Sequence, residues 1–227
     1  MSKLQRSLIA LALVTAISLT PISPSRLRAQ EDEVARLMAQ MWSAAKVGQL
    51  FVVTFPESQV DERAAITELI QDYHVGGVLL KPENGNINND GNAPAQVARL
   101  VGRLQETAWQ STQPITDTAS DPFVPLLVAA SQEGNGMPHT SIISGTTALP
   151  SQMALGATWN VSHTATVGQI VGHELSAMGI NVLLGPSLDV LETPRPASSG
   201  DLEVRTFGGE PFWVGEMGKA YIRGVHE

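Results

Sequence analysis

PLLVAASQEGNG, residues 125–136, and GINVLLGPSLDV, residues 179–190, decide the fold. Each is an apolar run that passes directly into a polar, glycine-bearing turn. Strands of parallel α/β sheets are buried on both faces and read as continuous apolar runs, and ligands collect just beyond their carboxyl ends. Ser131, Glu133, Ser187 and Asp189 therefore fall where such folds keep their chemistry.

Working outward from these two runs, VGQLFVVTF at 47–55 reads as a strand ended by Pro56, and VGGVLL at 75–80 as another. Apolar residues at helical spacing mark amphipathic helices at 31–45, 64–73, 95–109 and 161–178. A last helix, 211–225, opens with Pro211 behind Glu210, as helix starts prefer. The Asn- and Gly-rich loop at 81–94, KPENGNINNDGNAP, is expected to be exposed and mobile, and 111–123 to be a polar connection. Four strand-helix units in alternation predict a parallel sheet with right-handed crossovers. Both a doubly wound open sheet and a (β/α)8 barrel satisfy that rule. Long loops after three of the strands lean toward the barrel, whose sites are built at that end.

The net charge of −8 disfavours nucleic acid and anionic membranes as partners, which reward clustered Lys and Arg. Lys3 and Arg6 before an apolar stretch from Leu8 to Leu19 read as an export signal over 1–29, cleaved near Ala29. The stretch falls short of the ~20 residues that span a bilayer. An uncleaved anchor is the other reading. The expected product is extracellular or periplasmic and off the membrane once cleaved. The chain has no cysteine, so an exported form relies on core burial, and thiolate metal sites are excluded.

No Rossmann glycine fingerprint, GxxxxGK[ST], HExxH or GxSxG motif is present, so no cofactor or metal is expected. His173 beside Glu174 reads as a surface or structural pair, since one such pair is not a ligand set. Carboxylates remain: Glu133, Asp189, Glu192, Asp201 and Glu203 all follow the third and fourth strands. A sugar site commonly uses two carboxylates about 5–10 Å apart, with hydrogen-bonding groups around the hydroxyls. Arg205, in VRTFGGEP, has a rigid fork that suits either ligand oxygens or pinning of the loop through Asp189 or Asp201.

VGQLFVVTF, VGGVLL, PLLVAASQEGNG, LPSQMALGATWN, GHELSAMGINVLLGPSLDV, RTFGGEP and GKAYIRGV, taken in this order, resemble the N-terminal barrel domain of glycoside hydrolase family 3, the β-glucosidases and β-N-acetylhexosaminidases. The likeness runs from about Ala44 to the end. It implies that 30–227 is the N-terminal portion of a TIM (β/α)8-type barrel, about four βα units. It also implies a retaining mechanism with an Asp nucleophile and a carbohydrate substrate. Arg205 matches the family's sugar-binding Arg, and Asp189 an Asp near the fourth strand's end. Family members usually end the third strand in Asp-Gln-Glu-Gly-Gly. Here Ser131 stands for the Asp, followed by Gln132, Glu133, Gly134 and Asn135, and a Ser offers no charged acceptor.

The resemblance implies substrate-binding roles for Arg205, Ser131, Glu133 and Asp189. It assigns no catalytic residue, because the family's Lys-His pair and its nucleophile are expected beyond residue 227. Three readings stay open: the N-terminal part of an exported β-glycosidase, a non-hydrolytic carbohydrate-binding relative, and an inactive fragment that pairs with the rest of the barrel or with itself.

Overall fold

A computed structural model describes residues 24–113, 121–193 and 203–227. The chain divides into two compact units between Trp42 and Ser43. In the first unit the described element is helix α1, Pro24–Gln40, which carries a surface Arg36–Glu33 ion pair and leaves Val34 and Met38 about half exposed. The apolar stretch of the expected export signal lies outside the described residues.

The second unit is a four-stranded parallel sheet with one layer of helices. Its elements run α2 (Ser43–Gly48), β1 (Val52–Val53), α3 (Ala65–Gln71), β2 (Gly77–Leu79), α4 (Ala93–Ser111), β3 (Leu127–Ala130), α5 (Gln152–Ala157), α6 (Val161–Ala177), β4 (Val182–Leu183) and α7 (Pro211–His226). Strand order follows sequence order, β1-β2-β3-β4, and every pairing is parallel. Successive units therefore lie side by side without reversal. That is the order of a barrel wall, and it removes the doubly wound alternative, whose strand order reverses.

The register sorts the strand residues into two faces. Val78 pairs with Val128 and Ala130 with Leu183; Val78, Leu80, Val128 and Ala130 are fully buried in one core with Val97, Leu100, Leu104, Val171 and Leu175 of the helices. The opposite face carries Val52, Leu127 and Leu184, which are 52, 47 and 42% exposed. The helices therefore cover one side of the sheet and leave the other partly open.

Helices α6 and α7 pack closest. A Cβ at Gly172 would come within 3.0 Å of the Val225 carbonyl carbon, and one at Gly224 within 2.9 Å of the Gln169 nitrogen. Glycines at these positions let the two backbones touch. Capping explains where the helices begin: Asn92 accepts from the Ala95 amide, Asn160 from Ser162, and Glu210 from both Phe212 and Trp213.

Several expectations change. The first helix starts at Pro24 rather than Glu31, and the stretch read as a strand from Val47 is helical to Gly48, leaving only Val52–Val53 paired. The short helix α5 was not expected. The loop at 81–94 is not simply solvated. Asn86 is fully buried, donates to the Phe55 and Glu57 carbonyls and accepts from the Lys81 amide, while Asn89 ties the loop to residues 141–144.

Candidate functional site

The C-terminal end of β3 leads into a folded loop rather than an open one. Gln132 forms an isolated antiparallel bridge with Thr140, and its buried amide donates to the Ile142 carbonyl and accepts from the Ile142 amide. Gly134 sits at φ +87°, where a Cβ would crowd the Pro150 carbonyl carbon at 3.1 Å. The run EGNG is thus a left-handed turn that only residues tolerant of positive φ can make. Gln152 at the start of α5 donates to the Glu133 carbonyl at 2.7 Å. The loop that carries Glu133 is therefore fixed from several sides.

Glu133 itself is buried, its side chain 5% exposed. It meets Arg205, which lies 72 residues away in the 3-10 turn Glu203–Arg205 before α7. The contact is a two-point fork: Arg205 Nε donates to Oε2 at 2.5 Å and Nη2 to Oε1 at 2.8 Å. Paired forks of this kind are the strong, oriented form of the ion pair. Gly185, at the end of β4 with φ +144°, makes room for it, since a Cβ there would approach the Glu133 Cγ to 2.8 Å.

The hydrogen bond to Glu133 raises the Arg205 pKa above its ordinary value; partial burial opposes this, and the charges of Glu133 and Asp189 add to it. Beneath the pair, burial pushes the Tyr221 phenol well above the usual tyrosine range, with the negative Glu133 adding to the effect. Tyr221 therefore stays neutral across physiological pH.

The other two predicted site residues are less tied. Asp189 is exposed and accepts from the Ser187 hydroxyl at 3.1 Å, close enough to Arg205 for its charge to be felt there. Ser131 is half-buried at the end of β3, and its carbonyl accepts from the Ser141 amide. The site thus joins Glu133 to Arg205 directly, holds Asp189 near, and leaves Ser131 on the same rim. Arg205 does pin a loop, but its partner is Glu133 and not Asp189; Asp201 lies outside the described residues. Glu174 accepts from the amide and hydroxyl of Thr147.

Gly185 and Tyr221 were missed in the sequence. A glycine standing directly after an apolar strand was the available signal for Gly185. Tyr221 carried none beyond its place on an apolar helix face. Among the described residues no group of three or more His, Cys, Asp or Glu could hold a metal, and no helix is long and apolar enough to cross a membrane.

Two of the five N–H donors of Arg205 go to Glu133, and among the described residues no further side-chain bond takes up the rest. A guanidinium fixed by a buried carboxylate at strand ends is suited to hold ligand hydroxyls in a set orientation.

Residues 43–227 match the model of the glycosyl hydrolase family 3 N terminal domain. A β-N-acetylglucosaminidase/β-glucosidase of Cellulomonas fimi is 29% identical over 85% of this chain and 28% of its own length. β-Hexosaminidase A of Pseudoalteromonas piscicida is 31% identical over 72% of this chain and 26% of its own. Among solved structures, a family 3 β-N-acetylglucosaminidase from Paenibacillus superposes with a TM-score of 0.67 at 33% identity, covering 82% of this chain and 31% of that one. The chain spans about a third or less of the length of these relatives, and its four parallel strands correspond to a portion of their (β/α)8 barrel. With its model matched over residues 43–227 and its strands in barrel order, the chain belongs to glycosyl hydrolase family 3.

Proposed function

We propose that this chain supplies the sugar-binding wall of an exported β-glycosidase, one that hydrolyses β-glucosides or β-N-acetylhexosaminides by a retaining route when the barrel is complete. The observation that carries the reading is the Glu133–Arg205 fork at the carboxyl ends of β3 and β4, where barrel enzymes build their sites. Arg205 donates its remaining N–H groups to sugar hydroxyls. Glu133 fixes the plane of that donor set, and Asp189 keeps the field at the rim negative beside it. Ser131 donates or accepts one hydrogen bond where relatives of this type place a carboxylate. Nucleophile and proton donor come from outside these strands.

The second reading, a carbohydrate-binding relative without hydrolysis, is favoured by Ser131 alone, since loss of a charged acceptor weakens both ground-state and transition-state binding. The gene product extended through whatever follows residue 227, assayed on aryl β-glucoside and aryl β-N-acetylglucosaminide, separates the two. Turnover abolished by Arg205→Ala and raised by Ser131→Asp supports the enzyme. Sugar binding seen by calorimetry without turnover supports the binding protein, and neither activity nor binding removes both.

A further inference from the structure

We propose that Gln152 and Gly156 are positioning residues, and that α5 is a spacer that sets the two halves of the Glu133–Arg205 fork against each other. The inference rests on buried contacts within the barrel portion. It bears on sugar binding through the role proposed for Arg205.

The fork joins two segments far apart in sequence, and each of them meets α5. On the side of Glu133, the Asn135 amide donates to the Leu149 carbonyl at 3.1 Å, which lays the EGNG turn along the strap that enters the helix. Gln152, 1% exposed, then donates its side-chain amide to the Glu133 carbonyl at 2.7 Å. On the side of Arg205, α5 packs against the 3-10 turn Glu203–Arg205. Gly156 lets that segment lie on the helix itself, since a Cβ there would come within 2.7 Å of the Phe207 carbonyl carbon.

Gln152 and Gly156 stand four residues apart, so they share one face of the helix, about 6 Å apart along its axis. That face addresses Glu133 with its first turn and the backbone that carries Arg205 with its last. Ser151 holds the first turn in place by accepting from the Ala154 amide. Packing alone would be served by an apolar side chain at position 152, because a buried amide is costly unless it is bonded. The amide is instead spent on the one residue whose carboxylate aims Arg205. Gln132 and Thr140 shape the Glu133 loop from within, whereas α5 decides where that loop stands relative to the guanidinium.

The test follows solvent exchange of the Arg205 Nε–H by NMR in the full gene product, labelled at arginine Nε and assigned by loss of the signal in Arg205→Lys. Gln152→Met keeps the side-chain length and removes the donor, and Gly156→Ala pushes on the other end of the spacer. Each is expected to speed exchange at Arg205 at least about tenfold. Asn160→Ala, which removes the α6 cap, is the control: it lowers the urea midpoint and leaves that exchange unchanged. Circular dichroism reports folding, and Gln152→Met decides alone where Gly156→Ala does not fold. Calorimetry with N-acetylglucosamine runs beside it. Exchange that responds while no sugar binds to the parent protein keeps the spacer and removes the sugar-binding reading. Two results overturn the proposal: Arg205 exchange that Gln152→Met leaves unchanged, and exchange that rises equally in Asn160→Ala, which would make both residues ordinary contributors to stability.

Discussion

The loops after β3 and β4 face the same rim but are built in opposite ways. After β3, Gln132, Glu133, Thr140, Ser141 and Ile142 are all buried, and backbone and side-chain bonds close the loop on itself. After β4, Leu188 and Asp189 are exposed, and among the described residues the Ser187 hydroxyl donates to Asp189. The Glu133–Arg205 fork reaches from the first loop to the segment that follows the second. A loop closed on itself is therefore tied to the segment before α7 through a single carboxylate.

Arg205→Ala should break this arrangement most severely. It strands a buried carboxylate, and loss of one partner from a buried pair costs about 3 kcal/mol here, at the low end of such pairs because Arg205 is itself a quarter exposed. Urea unfolding at neutral pH measures it. A loss under about 1 kcal/mol would mean that water reaches Glu133 and that the two loops are independent.

Gly185→Ala attacks the same contact from below, combining a positive φ with a clash against the Glu133 Cγ. We expect about 2 kcal/mol, and unchanged stability would show that the β4 end can shift away at no cost.

Alkaline titration sharpens the comparison further. The Tyr221 pKa is raised in the fold, so its stabilisation is complete below the unfolded tyrosine value near ~10 and is lost as pH rises above it. Stability should fall by up to about 1.4 kcal/mol per pH unit there, and Tyr221→Phe should flatten that limb. Urea midpoints at neutral and strongly alkaline pH decide it, and equal slopes in both proteins would refute it. The smallest effect belongs to the open loop. Ser187→Ala should change stability by less than about 0.5 kcal/mol, while a larger loss would show that the loop after β4 is more ordered than its exposure suggests.

Much of this architecture could be read from residues, and the reasons differ by place. Strands at 75–80 and 125–130 were legible because each is a continuous apolar run that passes into a polar turn, and α7 because Glu210 and Pro211 announce a helix start. The segment at 47–55 misled because a short apolar run suits helix and strand alike. Its first two residues end a helix, where Gly48 packs against the backbone of His74. The loop at 81–94 looked solvated because Asn is a turn residue, yet Asn86 serves as a buried bracket for three backbone groups.

At the site, Arg205 and Glu133 were each singled out. Their partnership was not, because it spans 72 residues and no local pattern encodes it. Asp189 seemed the closer partner in sequence. The fold instead sends that carboxylate outward and brings the buried one in.

Burial of Glu133 also bears on how the rim responds to its medium. At physiological salt, mobile ions screen charges over roughly 8 Å, but only where solvent can carry them. The surface pair Lys219–Glu216 stands in that solvent, with 64 and 36% of its side chains exposed, whereas the Glu133 side chain is 5% exposed. Brine should weaken the first and barely touch the second, so the guanidinium at the rim keeps its aim in dilute and saline surroundings alike.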